Sequence, residues 1–324
     1  NTQLANYNGQ SSVVTTVLMG IKDKLKNADV FYSRASNFVD TVQRDYTKLI
    51  DSVKDADVII YVGGISPRLE GEEMRVNNPG FSGGDRTSIM LPAVQTDFMK
   101  ALKATGKPIV FVMMTGSAIA IPWEAENIPA IINAWYGGQA GGAAVADVLF
   151  GDYSPAGRLP VTFYKSDSDL PSFEDYSMQN RTYRYFKGDA LYPFGFGLSF
   201  TKFTYSNLKV SKSLSKKENM DAEVTVTNSG KIKSDEVVQL YFAYPDSKSA
   251  PLSALKGFKR IMLQPGQSAK VKFTITPDMM KLVNEKGEQV LPTGPIKIIV
   301  GGSSPGKRSE ELGIAHAETI LGMK

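Results

Sequence analysis

The hydrophobic period of this chain changes once, near Phe203, and that change constrains the fold more than any single motif. Before it, apolar residues recur at helical steps or in short continuous runs. Val39, Val42, Tyr46, Leu49, Ile50 and Val53 lie three and four residues apart, which predicts an amphipathic helix. "VIIYVGG" (Val58 to Gly64) is a continuous apolar run ended by glycines, the pattern of a strand covered on both faces. Leu91, Val94, Phe98, Met99 and Leu102 mark a second helix, stopped by Gly106 and Pro108. "PIVFVMM" and "AIINAWY" read as two more buried strands, and "GGQAGGAAVADVLFG" (Gly137 to Gly151) opens a helix of small residues. Such alternation predicts an α/β fold, a three-layer α/β/α sandwich with a mainly parallel sheet.

Past Phe203 the period is two. Ala222, Val224 and Val226 alternate with polar residues, as do Val271, Phe273 and Ile275, and Ile296, Ile298 and Val300. Pro265-Gly266 is a turn signal between two such strands. Short strands at these intervals predict an all-β sandwich of the immunoglobulin or fibronectin III kind, about a hundred residues long. The expected boundary falls in "GLSFTKFTY" (Gly197 to Tyr205), which gives domains 1–200 and 201–324.

A chain of 324 residues is long enough for two such cores. Its 42% hydrophobic and 22% charged residues mark a soluble globular protein. The net charge of +4 is scattered, whereas nucleic-acid binding needs clustered Lys and Arg. The one dense cluster, "SKSLSKKEN" (Ser211 to Asn219), reads as a solvated turn. With no cysteine and a single histidine, His316, the chain has no means for Cys–His catalysis, disulfides or a zinc site. The apolar, uncharged run Pro108 to Trp123 falls short of the ~20 apolar residues of a membrane span. The opening "NTQLANYNG" carries no export signal, so any such signal is expected upstream or already removed.

One stretch carries chemistry. "LEGEEMRVNNPGFSGGDR" (Leu69 to Arg86) sets Glu70, Glu72 and Glu73 on a Gly/Pro-rich loop just past the first buried strand. Parallel sheets place functional groups outside the carboxyl ends of their strands, and neighbouring carboxylates hold one another's protons on. The residues alone leave two readings open, a solvated acidic loop and a proton donor. Asp85 reads as a cap for the following helix or a partner of Arg86. "GGQAGG" lacks the G-x-G-x-x-G spacing, which favours close helix–sheet packing over phosphate binding and weakens a flavodoxin-like nucleotide binder. Trp123 and Trp135 sit in apolar neighbourhoods and read as core or interface packing.

Longer strings resemble a known family. "GRLPVTF", "RTYRYF", "LYPFGFGLSFTKFTY", "DEVVQLY" and "LKGFKRIMLQPGQS" follow in order, preceded by "AIINAWYGGQAGGAAVADVLFGDYSPAGRLP" and, near the start, "ANYNG". Together they resemble the C-terminal half of glycoside hydrolase family 3, the β-glucosidases and β-xylosidases, leaning towards xylosidase. The resemblance implies a retaining exo-acting β-glycosidase whose (β/α)₈ barrel, with the nucleophilic aspartate, precedes this portion and acts in cis or in trans. It implies Glu72 as general acid/base with Glu70 as runner-up, Glu73 as bystander and Arg86 as a substrate-binding residue. The implied partner is a β-linked oligosaccharide or glycoside, with no cofactor, metal, nucleic acid or membrane. The chain is expected to be a fragment without the first strand of its sandwich, inactive alone, its acidic loop mobile and its glutamates exposed without the barrel. An exposed apolar patch, a homo-oligomer through it, and a periplasmic or extracellular location are further expectations. The alternative is a non-catalytic module that binds carbohydrate or protein.

Overall fold

The computed structural model describes residues 2–5, 11–39, 45–71, 73–210 and 217–322. Glu72, most of "ANYNG" and of "SKSLSKKEN", and residues 40–44 of the first expected helix lie outside the described residues. The chain divides into two compact units, Asn1–Tyr153 with Tyr164–Ser168, and Ser154–Phe163 with Asp169–Lys324.

The first unit contains α1 (Val17–Lys24), α2 (Thr47–Ser52), β1 (Ile59–Gly64), and three two-residue strands, β2 (Asn77–Asn78), β3 (Phe81–Ser82) and β4 (Asp85–Arg86). There follow α3 (Ala93–Lys103), β5 (Ile109–Met114), α4 (Pro122–Asn127), β6 (Ala130–Asn133) and α5 (Gly141–Leu149). The main sheet runs β1-β5-β6. Both pairings are parallel, Ile59 opposite Ile109 through Gly64 opposite Met114, and Val110 opposite Ala130 through Met113 opposite Asn133. Alternate side chains of a strand face opposite layers. Tyr61 accordingly meets Phe111 at 5.6 Å between ring centroids and Phe98 of α3 at 5.8 Å. On the other face Val112 and Met114 pack with Val17 and Ile21 of α1 and Val145 of α5. This explains the unbroken apolar run of β5, the central strand, which is covered on both faces, whereas Val62 of β1 is exposed and β6 is only half-buried.

Of the glycines of "GGQAGG", Gly142 serves close packing, but against a helix rather than the sheet. A Cβ on Gly142 would stand 2.1 Å from the Thr16 carbonyl carbon, and one on Gly20 would stand 2.3 Å from the Gly142 oxygen. The N-cap of α1 and the first turn of α5 therefore touch backbone to backbone. Gly142→Ala is expected to force them apart and cost about 1–3 kcal/mol, read as a lower urea midpoint. An unchanged midpoint would show that the helices yield without strain.

Glu124 of α4 is 1% exposed and accepts a 2.5 Å hydrogen bond from Thr96 Oγ1 of α3. Burial pushes its carboxyl above the usual 4.5, and the Thr96 bond and Lys100 offset this only in part. The folded chain thus holds this proton more firmly than the unfolded chain. The stability it contributes is complete below pH 4.5 and is lost as pH rises through the folded value. Glu124→Gln is expected to flatten that descent in a stability–pH profile, and a variant with the original slope would exclude Glu124 as its source.

The second unit carries α6 (Thr182–Tyr185), β7 (Phe203–Val210), β8 (Met220–Asn228), β9 (Ser234–Ala243), β10 (Ala254–Leu263), β11 (Ser268–Ile275) and α7 (Pro277–Met280). It ends with β12 (Leu282–Val283), β13 (Gln289–Val290), β14 (Ile296–Gly301), α8 (Lys307–Glu311) and β15 (His316–Leu321). Two antiparallel sheets, β10-β9-β14-β15 and β11-β8-β7, enclose one core. Ala222, Val224 and Val226 of β8 are fully buried against Val238, Leu240, Ile298 and Val300, as the period of two predicts.

Residues 154–163 and 169–200, placed by period with the first domain, group with the sandwich. Several of their polar groups bond within that unit, although Arg158 Nε and Thr162 Oγ1 are buried without a hydrogen-bond partner. Gln239 Nε2 donates to the Gly195 carbonyl at 3.1 Å, Arg308 Nε to Leu191 at 3.1 Å, and the Ser304 amide to Phe194 at 2.9 Å. Arg158 Nη2 meets Glu236 Oε2 at 2.9 Å. Among the described residues, no helix is long and apolar enough to cross a membrane.

Candidate active site

The acidic stretch leaves the carboxyl end of β1. Ile65 and Leu69 are buried, and the amides of Leu69 and Glu70 both donate to the Ser66 carbonyl, forming a tight turn. The turn aims Glu70 inward. Its Oε1 accepts from the Gly116 amide at 2.9 Å and from the Tyr136 hydroxyl at 2.7 Å, and its Oε2 accepts from Ser117 Oγ at 2.8 Å. Gly116 and Ser117 follow β5, and Tyr136 follows β6. One carboxylate thus ties together the segments that leave the carboxyl ends of all three parallel strands, where such sheets build their sites.

Two backbone features permit this. A Cβ on Gly116 would lie 2.8 Å from Glu70 Oε1 and 2.8 Å from the Tyr136 ring, so the approach needs a glycine. Trp135 adopts φ +52, a left-handed conformation that bulky residues rarely take, just where the chain turns Tyr136 towards Glu70. Burial, and next the Glu70 hydrogen bond, push the Tyr136 hydroxyl's pKa far up, so it stays a donor.

Beyond Glu72 the stretch is a small meander rather than an irregular loop. Asn77 pairs with Ser82 and Asn78 with Phe81, while Phe81 pairs with Arg86 and Ser82 with Asp85. Gly80, Gly83 and Gly84 supply the turns with φ of +83, +63 and +92. Phe81 is buried beneath the Arg86 guanidinium, 5.7 Å from its ring centroid. Glu73 is exposed with φ +54.

The sequence-derived candidates are distributed as follows. Glu70 is half-buried with both oxygens engaged, which corrects the expectation that it would be exposed. Arg86 uses its whole fork within the chain. Nε and Nη2 donate to the Ser88 carbonyl at 3.0 and 2.8 Å, and Nη2 donates also to Met90 at 3.2 Å. Nη1 donates to Ser117 Oγ at 3.2 Å and to the Ala118 carbonyl at 3.3 Å. A guanidinium has five N–H donors, so a sugar hydroxyl must displace one of these bonds to reach it. Asp85 lies in β4 and is exposed; α3 starts at Ala93 after Pro92, with no side-chain cap. The capping reading of Asp85 is therefore wrong. Trp123 is half-buried with Lys100 and Lys103 each 5.9 Å from its ring centroid, and Trp135 is half-buried.

Gly116, Ser117 and Tyr136 were not singled out from sequence. Gly116 and Ser117 lie just past the second buried run, a usable signal, whereas Tyr136 falls inside the third run as read, because β6 ends at Asn133 rather than continuing through "AWY".

Residues 1–200 match the family model of the glycosyl hydrolase family 3 C-terminal domain, and residues 236–304 match that of the fibronectin type III-like domain. A xylan 1,4-beta-xylosidase of Xylanibacter ruminicola is 42% identical over 321 residues, covering 96% of this chain and 37% of the relative. A periplasmic beta-glucosidase of Salmonella typhimurium is 32% identical over 328 residues, covering 90% of this chain and 42% of the relative. The structure of a GH3 beta-glucosidase of Bifidobacterium adolescentis matches with a TM-score of 0.80 at 29% identity, over 96% of this chain and 46% of that one. The chain thus spans about two-fifths of the length of the curated relatives it matches. With a parallel sheet, a glutamate-rich segment at its carboxyl edge and, in the second unit, an antiparallel sandwich, the chain belongs to glycoside hydrolase family 3 and carries that family's C-terminal domain.

Proposed function

We propose that this chain supplies the proton donor of a retaining β-glycosidase of the xylosidase or glucosidase type, with Glu72 as general acid/base. The nucleophile comes from a (β/α)₈ barrel, in cis or in trans. The observation that carries the reading is the placement of the 69–86 segment: its root is fastened at the carboxyl ends of three parallel strands, and Glu72 directly follows that root. The names of the relatives, xylosidase and glucosidase, support the substrate class.

In such a reaction the two carboxyl groups stand about 5–5.5 Å apart across the glycosidic bond. The barrel aspartate attacks the anomeric carbon while Glu72 gives its proton to the departing oxygen. Glu72, now ionised, then takes a proton from water, and that water's oxygen attacks the anomeric carbon and releases the sugar with its configuration retained. A general acid must still hold its proton when the substrate arrives, which desolvation beneath a docked barrel would favour. No step requires a metal or a cofactor. The name of the Salmonella relative supports a periplasmic or extracellular setting.

The test is complementation. Aryl β-xyloside and β-glucoside hydrolysis is measured for the chain alone and for the chain mixed with a family barrel half. The expected outcome is no appreciable turnover alone and restored turnover in the mixture. Turnover by the isolated chain contradicts the division of labour; failure with every cognate barrel leaves a non-catalytic binding module.

A further inference from the structure

Glu70, Ser117 and Arg86 take no part in the proton transfer proposed above, yet they are joined to one another. Each end of the 72–83 excursion is fastened by a charged side chain: Glu70 precedes it and Arg86 follows it. Both fasten to the same residue. Ser117 Oγ donates to Glu70 Oε2 at 2.8 Å and accepts from Arg86 Nη1 at 3.2 Å. The backbone closes the same neck, since the Gly71 amide donates to the Gly84 carbonyl at 3.1 Å. A Cβ on Gly84 would lie 2.0 Å from the Gly71 oxygen, so the two strands of the neck are in direct contact. Further out, the Gly83 amide donates to Val76 and the Thr87 amide to Gly80, at 2.7 and 2.9 Å. On the exit side Asp167 accepts from Ser88 Oγ at 2.7 Å and from the Ile89 amide at 2.6 Å.

We infer that Glu70, bridged through Ser117 to Arg86, is a positioning clamp that fixes the neck of the acid-bearing loop and so sets where its proton donor stands. Its partners are the reason. A carboxylate that serves as general acid must present a hydrogen outward to the leaving oxygen, whereas both Glu70 oxygens point inward at three donors. Arg86, buried enough to lower its pKa yet held up by Glu70, completes a closed circuit of charge and hydroxyl at the neck. Because Gly71 separates Glu70 from Glu72, a shift of the Glu70 side chain moves the loop at its root. A displacement of about 1 Å in a reacting group can lower the rate about 100-fold.

This inference rests on the function proposed above for its catalytic half, and the two are separable by experiment. The first measurement uses the whole chain without a barrel: amide hydrogen exchange at Gly71, Gly83 and Thr87 in wild type, Glu70→Gln and Ser117→Ala. Glu70→Gln keeps the shape but turns an NH₂ towards donors. Exchange at the three amides is expected to accelerate at least about 10-fold, with the sandwich amides of β8 and β9 unchanged as the control for folding. Ser117→Ala removes only the bridging hydroxyl and is expected to act in the same direction, which keeps the test valid if Glu70→Gln does not fold. Unchanged protection in the folded variants overturns the clamp.

The second measurement is kcat/KM against pH for the chain complemented by a barrel. Glu70→Gln is expected to lower kcat about 10- to 100-fold with little change in KM, and to keep the alkaline limb that reports the general acid. Loss of that limb in Glu70→Gln would make Glu70 the acid itself and overturn the inference, as would an unchanged kcat. If the wild-type mixture shows no turnover, the functional reading fails by itself and the exchange data alone decide the clamp.

Discussion

Glu72→Gln, in the chain paired with a family barrel, is expected to lower kcat/KM for xylobiose or an alkyl glycoside by about 100- to 10,000-fold, the range that general acid catalysis supplies. The same substitution is expected to leave the first step with a 2,4-dinitrophenyl glycoside within about a few-fold of wild type. The contrast follows from the leaving oxygen. An alkoxide or sugar oxygen is too basic to depart without a proton, whereas dinitrophenolate departs readily as the anion. Gln keeps the size and polarity of Glu, so the loop and the barrel contact are preserved while the transferable proton is gone. The two substrates therefore separate a lost acid from a damaged site. Equal losses on both would indicate damage at the nucleophile or the interface, and equal retention would move the acid to another residue.

The largest effect on stability is expected at the buried pair of the second unit. The Arg158 and Glu236 side chains are 9% and 4% exposed, with Nη2 and Oε2 2.9 Å apart. Tyr205 donates its hydroxyl to the other Glu236 oxygen at 2.9 Å. Burial pushes the Glu236 carboxyl up, and the Arg158 charge and the Tyr205 bond draw it back. Removing one member leaves an uncompensated charge in a low-dielectric interior, so Glu236→Ala is expected to cost about 3–5 kcal/mol. The double variant Arg158→Met with Glu236→Leu removes both charges and is expected to recover most of that loss. Urea unfolding of the three proteins checks this. A single variant within about 1 kcal/mol of wild type would mean that water reaches Arg158 freely.

The layout of the fold was legible because its signals are local. "IVFVMM" is a strand buried on both faces, and "MDAEVTVTN" alternates in and out along β8, as their apolar patterns require, while "IIYVGG" forms a strand whose Val62 is exposed. Of the helix expected over Val39 to Val53, only Thr47–Ser52 is helical among the described residues; Val39 lies in a bend and Tyr46 is the N-cap. The work of Glu70 was not legible. Its three partners lie 46, 47 and 66 residues further along the chain, and no local pattern links them. Likewise Arg158 in "GRLPVTF" finds Glu236 after 78 residues, which draws a segment that reads as part of the first domain to the sandwich. The meander after Glu73 was read as irregular because its strands are two residues long, too short for any period. Its three left-handed glycines were the sign of turns, visible in "PGFSGG" but not specific for pairing.

The assignment of Glu72 as the proton-transfer residue of a retaining enzyme is tested most directly by azide. Glu72→Ala in the barrel-complemented chain, given a dinitrophenyl glycoside, is expected to stall at the covalent glycosyl-enzyme, because water lacks its general base. Azide needs no such base. Turnover is expected to rise with azide concentration, and the product is expected to be the β-glycosyl azide. A variant that hydrolyses as fast as wild type without azide, or that forms no β-glycosyl azide at any concentration, would contradict the assignment.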